Sequence, residues 1–156
     1  MSYIPREQLL SLVQFHVSGL LIQKNPTRLL LIKRAKDRAL FPDTWSICGG
    51  QVISTETLFE SIVRHYKEEL ALDVWPTSSF LSTYNIKLKN NEYINGVRFL
   101  LQLNKEAEPK LSSTVSEYCW VTPKEFDEMA IESFIPGLYS QIHDLLWLLE
   151  IEAQYV

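Results

Sequence analysis

The chain has 156 residues, with 15 Lys and Arg against 19 Asp and Glu, so its net charge is −4; 46% of it is hydrophobic. That size predicts one domain over residues 1–156, and the apolar content excludes wholesale disorder. The acidic balance argues against a nucleic-acid binder, and Cys48 and Cys119 alone make neither a disulfide scaffold nor a four-ligand zinc site. The longest apolar run, Leu145 to Leu149, is too short to span a membrane. No continuous apolar stretch follows Arg6 and Glu7, so no secretory signal is expected. The expectation is a soluble, cytoplasmic protein.

Val13 to Ile22 predicts a strand, followed by the turn signal Asn25-Pro26-Thr27. Leu29 to Ile32 is an apolar run short enough for a buried strand within Arg28 to Lys33. Arg34 to Asp43 mixes charges with Phe41-Pro42 and predicts a loop. Trp45 to Cys48 predicts a short strand ending in a tight turn at Gly49-Gly50. Thr57 to Leu70 is the clearest helix: Leu58, Phe59, Ile62, Val63, Tyr66 and Leu70 recur at spacings of three and four, and Thr57 with Glu60 fits a capping box. Strands are predicted at Phe80 to Lys87, Tyr93 to Leu103 and Tyr118 to Val121. Thr122-Pro123 opens a short helix, and a last helix runs from about Leu138 to Ile151. This order predicts an α/β (α+β) fold, a mixed sheet covered by helices. Leu145-Leu146-Trp147-Leu148-Leu149 puts apolar groups all round the last helix, more than its own core needs, which points to a partner surface such as a homodimer face.

The chemistry lies between Gly49 and Leu72. Glu68 and Glu69 are adjacent carboxylates on the predicted helix; they repel each other and gain from a cation between them. A hard ion such as Mg2+ prefers oxygen ligands and suits diphosphate substrates. Arg64 stands one turn before Glu68 and is placed to hold that carboxylate.

Gly50, Glu56, Arg64, Glu68, Glu69 and Leu72 match, without insertion or deletion, the pattern G-x5-E-x7-R-E-U-x-E-E-x-G-U, where U is a bulky aliphatic residue. With Phe41-Pro42, Trp45-Ser46, Glu117-Tyr118 and Trp120-Val121 at its flanks, the stretch from about 13 to 130 resembles the Nudix hydrolases. The chain departs at His65, which replaces a glutamate, at Tyr66, which replaces an aliphatic residue, and at Ala71, which replaces a glycine.

The resemblance implies an α/β/α sandwich with a mixed sheet between helices. It also implies Mg2+- or Mn2+-dependent cleavage of a nucleoside diphosphate linked to another moiety, such as a nucleoside triphosphate or nucleotide sugar. Glu68, Glu69 and the Gly49 carbonyl are the implied metal ligands, Glu56 supports the loop or a second metal, and Arg64 orients a glutamate. The general base stays open. An imidazole titrates near 6.5, workable for a base at neutral pH, so His65 is one candidate; the other reading makes it a solvent-facing helix residue. Glu117 is a candidate base or ligand from outside the motif, and Glu106 and Glu108 are weaker ones. His16, His143, Cys48, Trp45, Trp120 and Phe99 read as packing or surface residues. No residue is singled out for substrate binding. The alternative function is a catalytically weak nucleotide-binding or regulatory module, for which His65 in place of the acid is the reason.

Overall fold

The computed structural model describes residues 15–155, without the side chains of 78–81 and 151–155. Arg6, Glu7, and the predicted strand start at Val13 lie outside the described residues. The described strands are β1 (Phe15–Gln23), β2 (Arg28–Arg34), β3 (Trp45–Ser46), β4 (Gly49–Gln51), β5 (Val74–Lys87), β6 (Tyr93–Leu103) and β7 (Val115–Val121). The helices are α1 (Leu58–Leu70), α2 (Pro123–Asp127) and α3 (Leu138–Tyr155), with a 3-10 turn at Ile131–Ser133. The α+β class with a mixed sheet therefore holds. No helix among the described residues is long and apolar enough to cross a membrane.

The chain divides into two compact units. The first takes the chain through Leu21 and Cys48–Lys110. Its strands pair in the order β4, β1, β6, β5; β1 and β6 are parallel and the other pairs antiparallel. One face of this sheet carries α1. Ile62, Tyr66 and Leu70 are fully buried, and the Tyr66 hydroxyl donates to the Gly19 carbonyl at 2.6 Å. The aromatic departure at position 66 thus makes a bond that no aliphatic side chain could. Gly19 has no room for a side chain, because a Cβ there would press into Leu101 and Ile62.

α1 starts as predicted, with the Thr57 side chain accepting from the Glu60 N–H and Glu60 reaching back. It ends at Ala71, whose φ of 54° and ψ of 33° are left-handed, and whose N–H bonds the Lys67 carbonyl. The turn a glycine would make is kept with alanine, at a steric cost from its Cβ. Ala71→Gly is expected to stabilise the fold by about 1 kcal/mol, raising the melting temperature by roughly 2–4 °C. A fall in the melting temperature would show that the alanine methyl contributes packing that outweighs the strain.

The second unit takes Ile22–Ile47 and the chain from Leu111 onward. β2 is its central strand, with β7 antiparallel along one edge and β3 and the last two residues of β1 along the other. Phe126 stacks on Tyr139 at 4.6 Å between ring centroids and meets Phe134 edge-on at 5.6 Å. This cluster ties α2 to the start of α3, where Leu138, Ile142 and Leu145 are buried. Trp147 remains 58% exposed, consistent with apolar groups on every side of the helix.

Several elements differ from expectation; β3, for one, ends at Ser46 rather than Cys48. Gly49-Gly50 is not a tight turn: both residues lie in β4, neither has a positive φ, and Val17 and Ser18 pair with them. The glycines are needed for close approach instead. β5 begins at Val74, six residues early: Val74, Trp75 and Pro76 pair with β6, and the register shifts between Pro76 and Leu81. α3 continues past Ile151 to Tyr155.

Candidate active site

Glu56 precedes the cap of α1, and its side chain is 12% exposed. The Arg64 guanidinium donates to both its oxygens, Nε at 2.9 Å and Nη2 at 2.7 Å. The Ile53 N–H donates to it as well, at 3.0 Å. These bonds, the arginine's first, hold the Glu56 carboxyl down to about 2 from its ordinary 4.5. Arg64 also reaches Glu68 Oε2 at 3.3 Å and the Gln51 carbonyl at 3.1 Å. Its main partner is therefore Glu56, with Glu68 secondary, and Glu56 is bonded to both Arg64 and the backbone of the 51–56 loop.

Because folding depresses the Glu56 pKa, its stabilisation is complete above pH 4.5 and is lost as pH falls toward 2. Unfolding free energies measured between pH 2 and 5 should therefore fall less steeply in Glu56→Gln than in the parent. Parallel curves would refute this stabilisation.

His65 is half-buried, and its Nε2 lies 2.8 Å from the Gln51 carbonyl. A carbonyl oxygen only accepts, so in this shorter contact Nε2 is the donor and Nδ1 is left as the acceptor of a neutral ring; Arg64 Nη2 lies farther from Nε2, at 3.4 Å. The ring lies against Gly50, where a Cβ would sit 2.7 Å from Nδ1 and Nε2. His65 is thus not simply a solvent-facing residue; it fastens α1 to β4. A glutamate has no proton to give that carbonyl at neutral pH, which is a physical account of what the exchange adds.

Glu68 is largely exposed, at 61% of its side chain. Glu69 turns inward, and Cys48 Sγ donates to its Oε2 at 3.1 Å. Burial, and then the charge of Glu69, push the Cys48 thiol well above its ordinary range, so the sulfur keeps its proton. Among the described residues no three His, Cys, Asp or Glu side chains gather closely enough to hold a metal ion by themselves. The donor chemistry still fits a hard cation, since Mg2+ takes one or two carboxylates and completes its shell with water and substrate phosphate. Glu68 and Glu69 have the chemistry for that role, and Glu56 is the carboxylate that Arg64 engages at both oxygens.

Glu117 lies in the second unit on β7, where Lys33 pairs with it at 3.6 Å. Glu106 and Glu108 are exposed. His16 Nδ1 bonds the Tyr84 hydroxyl at 2.6 Å, and His143 pairs with Asp127 at 3.4 Å. Two features escaped sequence reasoning. Cys48 is the small buried residue expected, but its bond to Glu69 joins positions 21 apart with no motif between them. Trp75, 55% exposed and edge-on to Phe59, lines a cavity of about 400 Å3 that also holds Glu68, Arg64, Asp73 and Asn104. The signal available was an aromatic residue just past the motif helix, beside a proline.

The NUDIX domain model matches residues 14–142. Nucleoside triphosphatase NudI of Escherichia coli O139:H28 (strain E24377A / ETEC) is 30% identical over 110 residues, 65% of this chain and 78% of that protein. A MutT protein from Methanosarcina mazei Go1 has a similar structure, with a TM-score of 0.67 at 21% identity, covering 83% of this chain and 89% of that one. An Ap4A hydrolase of C. elegans, solved as a binary complex, gives 0.70 at 17% identity, covering 92% and 100%. These two structural likenesses show the fold alone. Motif helix and relatives together define a hydrolase acting on phosphoric anhydrides. The chain belongs to the Nudix family, whose members generally use divalent metal ions.

Proposed function

We propose that this protein is a Mg2+-dependent pyrophosphohydrolase of nucleoside triphosphates and related nucleoside diphosphate derivatives. The observation that carries the reading is the adjacent pair Glu68 and Glu69 on a helix fastened to the Gly-Gly strand. The likeness to nucleoside triphosphatase NudI supports nucleoside triphosphates as the first substrates to try. Water attacks a phosphorus atom, the anhydride P–O bond breaks, and the electron pair leaves with the phosphate group. A divalent ion, when bound, supplies neutralisation of charge on the phosphate oxygens. Glu68 and Glu69 would hold it, joined by the Gly49 carbonyl. Arg64 keeps Glu68 and the 51–56 loop in position.

His65 Nδ1 is the candidate proton acceptor, since Nε2 is committed to Gln51. Glu117 is the alternative. The apolar recess floored by Phe59 and Trp75 beside Glu68 is our candidate for holding the non-phosphate moiety. Trp147 supports self-association of α3, which light scattering of the purified protein would measure. A cytoplasmic location remains part of this reading.

The deciding experiment is a phosphate and pyrophosphate release screen with Mg2+ or Mn2+, a panel of nucleoside triphosphates, ADP-ribose and nucleotide sugars, and Glu69→Gln as the blank. Metal-dependent release absent from the blank supports the enzyme. Nucleotide binding without release supports the weak binding module, the reading favoured by His65. His65→Glu is the companion variant. A rate gain would mean that the histidine limits the chemistry, and a loss would mean that it takes part.

A further inference from the structure

We infer that Cys48 is a positioning residue for Glu69, its S–H group fixing the carboxylate in the orientation that meets the metal ion. The inference rests on the reading of Glu69 as a metal ligand. Its basis is a geometry anchored twice on one residue. The Gly19 N–H donates to the Cys48 carbonyl at 3.0 Å, and the Gly19 carbonyl accepts from the Tyr66 hydroxyl at 2.6 Å. Cys48 and α1 are thereby tied to the same point of β1. The segment after Cys48 pairs with β1 at close range: Gly49 stands opposite Ser18, and a Cβ at Gly49 would overlap the Val17 carbonyl and sit 2.7 Å from Ser18 Cα.

Across this fixed gap Sγ stands 3.1 Å from Glu69 Oε2, and Cys48 is 2% exposed. A thiol facing a carboxylate can only donate. The bond takes one lone-pair site on Oε2, and a carboxylate has about four. A glutamate has three rotatable side-chain bonds, and a donor held by the strand segment restricts them before the ion binds. Donors that orient ligating carboxylates typically account for about 10–100-fold in metal affinity. Sulfur is a poor Mg2+ ligand, so the thiol acts through the glutamate and not on the ion.

The test is Mn2+ binding to substrate-free protein, followed by electron paramagnetic resonance, in the parent, Cys48→Ala, Cys48→Ser and Glu69→Gln. Cys48→Ala should raise the Mn2+ Kd by about tenfold or more. Cys48→Ser, whose hydroxyl can still donate, should stay within about threefold of the parent. Unchanged binding in Cys48→Ala, or an equal loss in Cys48→Ser, would overturn the inference. Parent-like binding in Glu69→Gln would instead defeat the metal-ligand reading, and this inference with it. If Cys48→Ala does not fold, the infrared S–H band decides. Assigned by its loss in Cys48→Ser, it should lie at the hydrogen-bonded end and move to higher frequency in Glu69→Ala. A band that does not move overturns the inference.

Discussion

Glu69→Gln should lower kcat by about a thousandfold while leaving the melting temperature within a few degrees of the parent. The amide matches the carboxylate in size and shape, so the side chain still fits beside Cys48. What it loses is the negative charge, and a neutral amide oxygen is a weaker ligand for a hard dication. Glu68 cannot make up the loss, because it is largely exposed and shares its Oε2 with Arg64. The measurement is a steady-state titration of metal at saturating nucleotide. A rate within tenfold of the parent would remove Glu69 from the centre of the chemistry, whatever the family pattern implies.

Gly49→Ala should cost about 3 kcal/mol of stability, a fall of roughly 6–12 °C in melting temperature. Its new methyl would meet backbone, the Val17 carbonyl and Ser18 Cα, which can yield only if β4 moves away from β1. Gly50→Ala is the control, since the three atoms nearest its methyl all belong to the His65 ring, a side chain that can swing aside. That variant should cost about 1 kcal/mol, the worth of the bond from His65 to Gln51. Equal costs from calorimetry, or a larger one at position 50, would contradict this account of the two glycines.

Much of the fold could be read in advance, for reasons visible in particular residues. The apolar spacing of α1 and its Thr57–Glu60 box are local signals, and both appear as expected. β6 runs from Tyr93 to Leu103 as the pattern predicts. β7 starts three residues early, at Val115, because Ser116 and Glu117 are exposed polar residues that hide the strand. The Gly-Gly step was legible as a special position but not as a strand, since glycine's two uses, a positive φ and close contact, look the same in sequence. For the site, the motif spacing points to Glu56, Arg64, Glu68 and Glu69. The partners of those side chains were less legible. The Gln51 carbonyl takes donors from both Arg64 and His65, and a backbone acceptor leaves no mark on residue identity.

The parallel pairing of β1 with β6 bears on how fast the chain folds. Phe15 lies opposite Asn95, eighty positions later, so forming that pair closes a long loop before the contact is gained. α1 and the β5–β6 hairpin need only near neighbours and can form early. The bonds that tie α1 to β1, to β4 and to the residue before β4, from Tyr66 to Gly19, His65 to Gln51 and Cys48 to Glu69, span 47, 14 and 21 positions, beyond the reach of the helix alone. The acidic helix therefore forms as a local element, and its carboxylates acquire their working orientation only when the strands beneath it have joined.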